Sequence, residues 1–517
     1  MTAIFAACSD SSSGGDSNDP KDGGGSNDAA AVADAGGDAS GPDEGSFDAA
    51  PDASTVDAGT VDSGTADTGA ADSSTDGGPA ADNVLLVGSF QTESLRNVAV
   101  DGVGNTHLLF NQIDQVTIGE ETVEASSGCV IFKLGPDRRV IWGTNVGDGL
   151  ICEGVAGDGI NTYVTGSFLY TVMIGTTQLI PQGSNDAFLV RLDANGAVDW
   201  VEVLSSSGPV AGKAVAVDSA GAVYTVGSFR ETLTFAGKTL DSAGGDFDTY
   251  LARIDANASN PTLVGATSIA RIYTQALAVA ADGTITLVGF LDGGTVSFGP
   301  HILARPGAFA ARADSAGNFQ WVRHLCEEPP GCTAQSVVLD DAGNSYVNGT
   351  FSSWDGSIEI GGETFTMPPG DSDGTGTSSY VAKLDGTGAI SWVRGGNIAH
   401  LTDAFGSSAH STLGIDRTGS VLFAGEIVGE STFGGLAVDA SQEGSDGYLI
   451  RISAAGVVEP PLVTRRSAAT SWIRIRGMSA HPTGGVAVVG AIKGEAIFDD
   501  GSVNAELNAR MFVWWPD

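Results

Sequence analysis

One pattern recurs at a nearly fixed period through most of this chain and restricts the fold more than any other feature. Each copy has an apolar strand, a turn and a second strand that ends in glycine, as in Val223–Phe229. That glycine recurs at intervals of 61, 62, 60, 76 and 65 residues, at Gly166, Gly227, Gly289, Gly349, Gly425 and Gly490. An earlier copy, Asn105–Phe110, lacks the glycine but keeps the preceding turn, which makes seven copies. Such a period indicates a repeat architecture rather than several unrelated domains.

The remainder of each copy predicts two further strands. A short hairpin follows the second strand, as around Phe235–Gly237, and then come a third strand such as Thr249–Asp255 and a fourth such as Val198–Val203. Glycine makes up 74 of the 517 residues, which disfavours helices because glycine destabilises a helix interior. Four antiparallel strands repeated seven times predict an all-β fold, a seven-bladed β-propeller of four-stranded blades over residues 83–517.

Aspartate and glycine recur together between strand pairs, as in Asp218-x-x-Gly221. Aspartate caps a type I turn, and glycine takes the left-handed position that follows it. We therefore assign these aspartates to turns rather than to a catalytic site; the other positions are Asp193, Asp341, Asp385 and Asp416. Tryptophan also recurs at one position of the fourth strand, which predicts packing between blades, at Trp142, Trp200, Trp321 and Trp392.

The two ends of the repetitive region predict how the ring closes. The last copy stops after its third strand, Met511–Trp515, and a strand of the missing fourth type stands at Val84–Phe90. Pairing these two segments removes the exposed edges of an open array.

Several of these segments together resemble a known family. Residues Ala187–Trp200, Ala214–Asp218 and Val226–Phe229, with the Phe-x-Gly hairpin between strands, are similar to the bacterial seven-bladed propeller repeat (SBBP). The resemblance covers residues 83–517 and implies a propeller that is exported or lipid-anchored in Gram-negative bacteria. It implies no reaction, because the family has no established shared activity.

Residues 1–10 resemble the end of a bacterial lipoprotein signal peptide. Phe5, Ala6 and Ala7 precede Cys8, as an apolar residue and two small residues precede the lipidated cysteine in that family. Phe5 replaces the usual leucine, and neither a charged segment nor a full apolar core precedes it. We expect the true start codon to lie further upstream and Cys8 to carry the lipid. A secreted protein without lipid is the alternative.

Residues 11–82 form a predicted disordered acidic linker of Gly, Ser, Ala and Asp. Residues 1–82 hold 17 acidic residues and one basic residue, Lys21, of the chain's 63 and 24, which leaves a net charge of −23 on residues 83–517. This charge disfavours nucleic acid and anionic membranes as partners. We expect membrane contact through a lipid anchor alone, and a monomer.

Four cysteines remain after Cys8, an even number that fits an oxidising compartment. Cys326 and Cys332 flank a tight loop that a disulfide can close, and Cys129 and Cys152 lie on strands that neighbouring blades can bring together. Their spacing does not fit a zinc site, so we predict no metal.

The chain contains no catalytic motif that we recognise, and we predict no catalytic residue and no cofactor. Asp371-Ser-Asp373-Gly374 resembles the start of a calcium loop, but Ala382 stands where an EF-hand has glutamate, so we expect loosely bound calcium at most. The longest insertions fall in the fifth and sixth copies, and binding sites are often built from such loops. Our candidate ligand-facing residues there are Trp354, Asp371, Asp373, Tyr380, His400 and His410.

These patterns favour a non-enzymatic binding or scaffold module for a glycan or protein partner, at the cell surface or outer membrane. The alternatives are an extracellular hydrolase or lyase built on the same fold, and a structural envelope protein. The hydrolase requires acidic or histidine residues that converge at one mouth of the ring.

Overall fold

The computed structural model describes fifteen segments of the chain, and all of them belong to the second of its two compact units, Thr75–Asp517. The segments are 83–88, 94–242, 247–255, 262–291, 293–327, 332–351, 357–366, 378–396, 411–427, 430–439, 445–466, 471–481, 485–498, 501–504 and 509–516. They contain 40 β-strands and no helix. Within these segments, therefore, no helix has the length and apolar character needed to cross a membrane.

Seven antiparallel sheets form the blades of a β-propeller, and each blade contributes four strands from its innermost to its outermost edge. Blade 1 is β2 (Leu95–Val100), β3 (Thr106–Ile118), β4 (Glu121–Leu134) and β5 (Val140–Asp148); blade 2 is β6 (Leu150–Gly157), β7 (Thr162–Phe168), β10 (Asp186–Leu192) and β11 (Val198–Ser206); blade 3 is β12 (Val210–Val217), β13 (Ala222–Phe229), β16 (Asp248–Asp255) and β17 (Thr262–Ala270); blade 4 is β18 (Ile272–Val279), β19 (Ile285–Leu291), β22 (Gly307–Ala313) and β23 (Phe319–His324). Blade 5 is β24 (Ser336–Leu339), β25 (Ser345–Phe351), β28 (Ser378–Leu384) and β29 (Ile390–Gly396); blade 6 is β30 (Ser411–Ile415), β31 (Val421–Ile427), β34 (Asp446–Ile452) and β35 (Leu462–Arg466); blade 7 is β36 (Trp472–Ala480), β37 (Val486–Lys493), β40 (Arg510–Trp514) and β1 (Val84–Val87).

In each of blades 2 to 7 a separate hairpin is inserted between the second and third strands. In blade 1 the corresponding hairpin is a continuous extension of β3 and β4. The hairpins are β8 (Val172–Ile174) with β9 (Thr177–Leu179), β14 (Thr232–Phe235) with β15 (Lys238–Asp241), β20 (Val296–Phe298) with β21 (His301–Leu303), β26 (Ser357–Ile360) with β27 (Glu363–Thr366), β32 (Glu430–Phe433) with β33 (Leu436–Asp439), and β38 (Glu495–Phe498) with β39 (Gly501–Asn504). Two of them pair directly with the outermost strand of the preceding blade, β14 with β11 and β38 with β35. The hairpins thus link one blade to the next.

The N-terminal strand closes the ring, as the sequence predicts. β1 pairs antiparallel with β40, with Val84 opposite Trp514 and Val87 opposite Met511. The last blade is thereby built from both ends of the repetitive region. The innermost strands contact one another around the whole circle, including β36 with β2 across the closure.

The repeated glycine is explained by a cross-strand pair with an aromatic residue. Gly227 on β13 lies opposite Tyr250 on β16, and a Cβ atom at Gly227 would collide with the carbonyl oxygen of Ala211 on the innermost strand. An aromatic residue lies opposite the glycine in every blade that has one; the pairs are Gly166–Phe188, Gly227–Tyr250, Gly289–Phe309, Gly349–Tyr380, Gly425–Tyr448 and Gly490–Phe512. The glycine therefore leaves room for both the innermost strand and the ring.

In blade 1 the aromatic residue lies on the second strand and the smaller residue on the third, the reverse of the arrangement in the other blades. Phe110 occupies the glycine position on β3, and the residue opposite it on β4 is Val130. The ring of Phe110 packs edge-on against Phe132, with the two centroids 6.1 Å apart. Blade 1 therefore also has one aromatic ring in this cross-strand pair, although it lacks the glycine.

The aspartate turns form as predicted. The Gly221 amide donates to the carbonyl oxygen of Asp218 at 3.0 Å, and Gly221 has a φ of +80°, in the left-handed region. One position is corrected: the turn before β25 is capped by Asp340 rather than Asp341, because Gly343 donates to the carbonyl oxygen of Asp340 at 2.9 Å.

The repeated tryptophans pack between blades, which confirms that prediction. Trp321 of blade 4 donates from its indole nitrogen to Gly386 of blade 5 at 3.1 Å, and Trp392 of blade 5 donates to Ala454 of blade 6 at 3.2 Å. A Cβ atom at Gly388 would meet the Trp321 ring, so the turn glycine of one blade seats the indole of the blade before it.

Both predicted disulfides are present. Cys129 on β4 bonds Cys152 on β6, with their Cα atoms 6.1 Å apart, and so joins blade 1 to blade 2 covalently. Cys326 and Cys332 close the connection between blades 4 and 5, with their Cα atoms 6.4 Å apart.

Replacing the repeated glycine should destabilise the propeller more than replacing a glycine in an open turn. We expect Gly227→Ala to lower the free energy of unfolding by about 1–3 kcal/mol, since the added methyl group overpacks a filled site. Gly102→Ala is the matched control, because a Cβ atom there meets nothing within 4 Å. Urea denaturation measures both variants, and equal losses would refute this explanation of the repeat.

Candidate binding site at the loop-rich end of the ring

The two ends of the ring differ in construction. One end carries turns that join the first to the second strand and the third to the fourth strand within a blade, among them the aspartate turns at Asp218, Asp340 and Asp385. The other end carries the hairpins and the links from each blade to the next, and these links vary from a single residue, as at Gly149 and Arg271, to the connection that Cys326 and Cys332 close. We call this second end the loop-rich end, and loops on a rigid scaffold are the usual place for binding residues.

A β-bulge recurs on the innermost strands near the loop-rich end. In five blades the register with the second strand shifts at the same place, and the extra residue in each case is polar or charged. These bulge residues are Arg96, Glu153, Lys213, Gln275 and Arg476. An extra residue is not held in the hydrogen-bond ladder, so a bulge can aim its side chain away from the sheet. All five side chains remain at least partly accessible to solvent.

The charged bulge residues are partly neutralised across blade boundaries. The ammonium group of Lys213 lies 3.8 Å from the carboxylate of Glu153 in the preceding blade. Arg476 lies 3.9 Å from the carboxylate of Glu426 on β31 of blade 6. Each carboxylate therefore forms an ion pair with a cation of the next blade, and these pairs help to hold neighbouring blades together.

An aromatic pair distinguishes blade 4 at this end. Tyr273 on β18 and Phe290 on β19 lie directly opposite each other, with their rings stacked at a centroid distance of 4.9 Å and an interplanar angle of 14°. Both are half-buried, so part of the stack faces solvent. Serine stands at the Phe290 position in blades 2 and 3, as Ser167 and Ser228. The pair is thus an addition to the repeat and is not required by it.

Blade 7 adds a second aromatic group near the start of its innermost strand. The guanidinium carbon of Arg474 lies 4.9 Å from the ring centroid of Trp472, and both side chains are half-buried. Amide, guanidinium and aromatic groups therefore occur together at this end. We call the set of Tyr273, Phe290, Gln275, Arg96, Lys213 and Arg476 the axial mouth.

The most catalysis-like pair in the described residues lies elsewhere. His107 Nε2 and Asp101 Oδ2 are 3.1 Å apart, and Nδ1 of the same ring is 2.9 Å from the hydroxyl of Thr162 in blade 2. A carboxylate only accepts, so Nε2–H donates to Asp101 and Nδ1 accepts from Thr162 in the neutral ring. Both His107 and Asp101 are buried, which leaves no access for a substrate.

His107 occupies a structural position of the repeat. Tyrosine stands there in three other blades, and its hydroxyl donates to the turn aspartate at 3.0–3.1 Å, in the pairs Tyr163–Asp158, Tyr224–Asp218 and Tyr346–Asp340. The ammonium group of Lys133 reinforces the same boundary by donating to the Ile160 carbonyl at 2.8 Å. The His107–Asp101 pair therefore joins blades 1 and 2 and is not a catalytic dyad.

Acid should loosen this boundary in two steps. Burial lowers the pKa of His107 below 6.5, so its contribution to stability is present above pH 6.5 and is lost as the pH falls below that value. Burial raises the pKa of Asp101, but hydrogen bonds from His107 and Asn105 outweigh it and hold this pKa at about 2, so the carboxylate contribution is lost between pH 3.8 and 2.

We expect His107→Gln to be less stable than the parent at neutral pH and to lose less stability between pH 7.5 and about 5. Urea midpoints measured at several pH values test this, with His481→Gln as the control histidine variant. Parallel pH profiles for the parent and His107→Gln would contradict the assignment.

The sequence-predicted ligand-facing residues divide into two groups. Five of them, and the lipidation candidate, lie outside the described residues, namely Cys8, Trp354, Asp371, Asp373, His400 and His410. Tyr380 is described, and it is fully buried opposite Gly349, with its hydroxyl donating to the Thr333 carbonyl at 2.9 Å. Tyr380 therefore packs the interior of blade 5 and offers no atom to a ligand, which corrects that expectation.

One departure from the repeat marks the axial mouth in the sequence. The residue after the repeated glycine is small or polar in blades 2, 3, 5, 6 and 7, whereas blade 4 has the aromatic residue Phe290 in Gly289-Phe290-Leu291. A residue that departs from a structural repeat is free to serve binding, whereas one that conforms is required for packing. In the described segments no group of three or more His, Cys, Asp or Glu residues is arranged to hold a metal ion.

Comparison with known proteins gives distant similarities only. No protein-family model matches the chain, and no curated protein matches it significantly. Among solved structures, a mitotic checkpoint complex chain is 10% identical, with 90% of this chain and 99% of that chain covered at a TM-score of 0.41. A point mutant of NanB sialidase from Streptococcus pneumoniae is 9% identical, with 84% and 70% covered at a TM-score of 0.36. A mutant of the GH43 protein BlXynB from Bacillus licheniformis is 10% identical, with 83% and 96% covered at a TM-score of 0.26. At these identities and scores the similarities carry no functional argument.

Proposed function

We propose that this propeller is an exported, non-enzymatic binding module and that the axial mouth binds a glycan. The observation that carries the proposal is the partly exposed Tyr273–Phe290 stack, in which Tyr273 stands two residues before the exposed Gln275 on the same strand, β18. A sugar ring presents an apolar face and a rim of hydroxyl groups. Aromatic side chains suit the former, and amide and guanidinium groups suit the latter.

The arrangement of charge favours binding over hydrolysis. A glycosidase uses two carboxyl groups placed on either side of the bond to be cut. At the axial mouth Glu153 accompanies Lys213, and nearby Glu426 accompanies Arg476. These carboxylates serve contacts between blades, which supports a role in which the ligand is held and released unchanged.

The proposed location is the cell exterior, through export and a lipid on Cys8. The two disulfides are consistent with an oxidising compartment, where such bonds form and persist. An acidic linker between the lipid and the propeller would let the axial mouth reach material away from the membrane.

A panel of soluble polysaccharides tests the proposal by affinity electrophoresis, followed by calorimetry on any member that retards the full chain. We expect Tyr273→Ala to weaken binding about tenfold, which corresponds to about 1.4 kcal/mol. Tyr170→Ala is the matched control, because Tyr170 is 75% exposed between β7 and β8 of blade 2 and is not one of the axial-mouth residues.

Three results would count against the proposal: no retardation by any polysaccharide, equal weakening by the two variants, or release of reducing sugar during incubation. The last result would support the hydrolase alternative. Thermal unfolding of both variants shows whether the loss of binding reflects a loss of fold.

A further inference from the structure

We infer that the glycan bound at the axial mouth is acidic, and that Arg96 and Arg476 bind its carboxylate groups. The inference rests on the proposed function and adds the chemical class of the ligand. It is carried by two like charges that the repeat places at matching positions of neighbouring blades.

Charge is distributed unevenly between the axis and the rest of the propeller. In the structure as described, the seven innermost strands carry four basic residues and one acidic residue, namely Arg96, Lys213, Arg474 and Arg476, and Glu153. Residues 83–517 as a whole carry a net charge of −23. A cleft lined by one sign of charge raises the local concentration of ligands of the opposite sign. The axis therefore favours an anionic ligand, although the domain as a whole is acidic.

Side chains at the bulge position of neighbouring blades can reach each other. Glu153 of blade 2 and Lys213 of blade 3 are the extra residues at the same bulge, and their charged groups are 3.8 Å apart. The two charges at this boundary are opposite, so they form an ion pair. The same position in another pair of adjacent blades is therefore close enough for its charges to interact.

The boundary between blades 7 and 1 has an arginine on each side at this position. Arg476 and Arg96 are the extra residues of their bulges. Their strands, β36 and β2, both begin at the loop-rich end and lie against each other, and a Cβ atom on Gly477 would be 3.7 Å from the Val98 amide nitrogen. This contact sets the two bulges at about the same level, so two like charges stand side by side in adjacent blades.

Nearby carboxylates neutralise this pair only in part. Arg476 lies 3.9 Å from the carboxylate of Glu426, and Glu153 of blade 2 is the ion-pair partner of Lys213. Arg96 is exposed, and within the described segments its side chain has neither an ion pair nor a hydrogen bond. Two like charges repel, and an anion bound between them relieves the repulsion. The boundary between blades 7 and 1 is therefore a place where a bound anion gains energy.

Arginine suits a carboxylate because its planar N–H donors match the two carboxylate oxygens. Arg474 adds a third cation to this sector of the mouth, and its guanidinium carbon lies 4.9 Å from the centroid of the Trp472 ring. A uronic acid residue joins a carboxylate to a sugar ring, so one polysaccharide can contact both these cations and the aromatic stack of blade 4. We therefore assign the ligand to the polysaccharides that carry carboxylate groups.

Matched pairs of polysaccharides test the inference on the full chain, by affinity electrophoresis and then by calorimetry. Polygalacturonate and alginate carry carboxylates, and their methyl esters keep the same backbones without the charge. We expect at least one of the two acids to bind about tenfold or more tightly than its own ester, because the ester removes the charge-assisted hydrogen bonds to arginine.

Arg96→Gln should lower the affinity for that acid about tenfold, because it removes one cation and keeps a hydrogen-bonding amide. Arg96→Lys should lower the affinity less, since it retains the charge. Arg139→Gln is the matched control: Arg139 lies in the turn between β4 and β5 of blade 1, at the opposite end of the ring, and its side chain is 88% exposed. Thermal unfolding without polysaccharide shows whether each variant is folded.

Failure of the inference is distinguishable from failure of the proposed function. The inference alone is overturned if polysaccharides bind but neither acid binds more tightly than its ester, or if Arg139→Gln weakens binding as much as Arg96→Gln does. It is also overturned if dextran sulfate or a DNA oligomer binds as tightly as the preferred acid, since the mouth would then be a general anion site. If no polysaccharide of either kind binds, the proposed function fails and the inference fails with it.

Discussion

The pairing of β1 with β40 is the contact on which the remaining structure depends. It places a strand from residues 84–87 at the outer edge of a sheet whose other three strands come from residues 472–514. Without this pairing, blade 7 would have only three strands and the edge of β40 would be exposed. The contact between the innermost strands β36 and β2 would then be the main link between the last blade and the first. Closure sets blade 7 against blade 1, and the axial mouth takes its residues from blades 1, 3, 4 and 7.

The blades themselves are specified by a small set of steric requirements. A glycine opposite an aromatic ring makes room for the innermost strand, aspartate turns such as that at Asp218 join paired strands, and a tryptophan such as Trp321 packs on the turn glycine of the next blade. Each requirement concerns a near neighbour in the ring, so the fold tolerates large changes elsewhere. The chain can therefore vary its bulge residues and hairpins while the packing between blades is retained.

The same logic explains how much the sequence could predict. The strand order and the closure by Val84–Val87 followed from the repeat, because packing requirements recur and recurrence is visible. Both disulfides followed from the even number and the positions of the cysteines. Tyr380 was mistaken for a ligand-facing residue because it follows a long insertion, whereas its place opposite Gly349 marks it as part of the core. Tyr273 and Phe290 were missed because a residue that breaks a pattern is harder to see than one that keeps it, and only the strand register brings the two rings together.

Hydrogen–deuterium exchange of the full chain, read by mass spectrometry on peptides that cover β1 and β40, tests ring closure most directly. A closed ring predicts that those amides of Val84–Val87 that donate to β40 exchange as slowly as the amides of Arg510–Trp514, because the two strands open together. Rapid exchange throughout Val84–Val87, with β40 and the inner strands still protected, would show that the N-terminal strand does not complete blade 7 and would contradict the account.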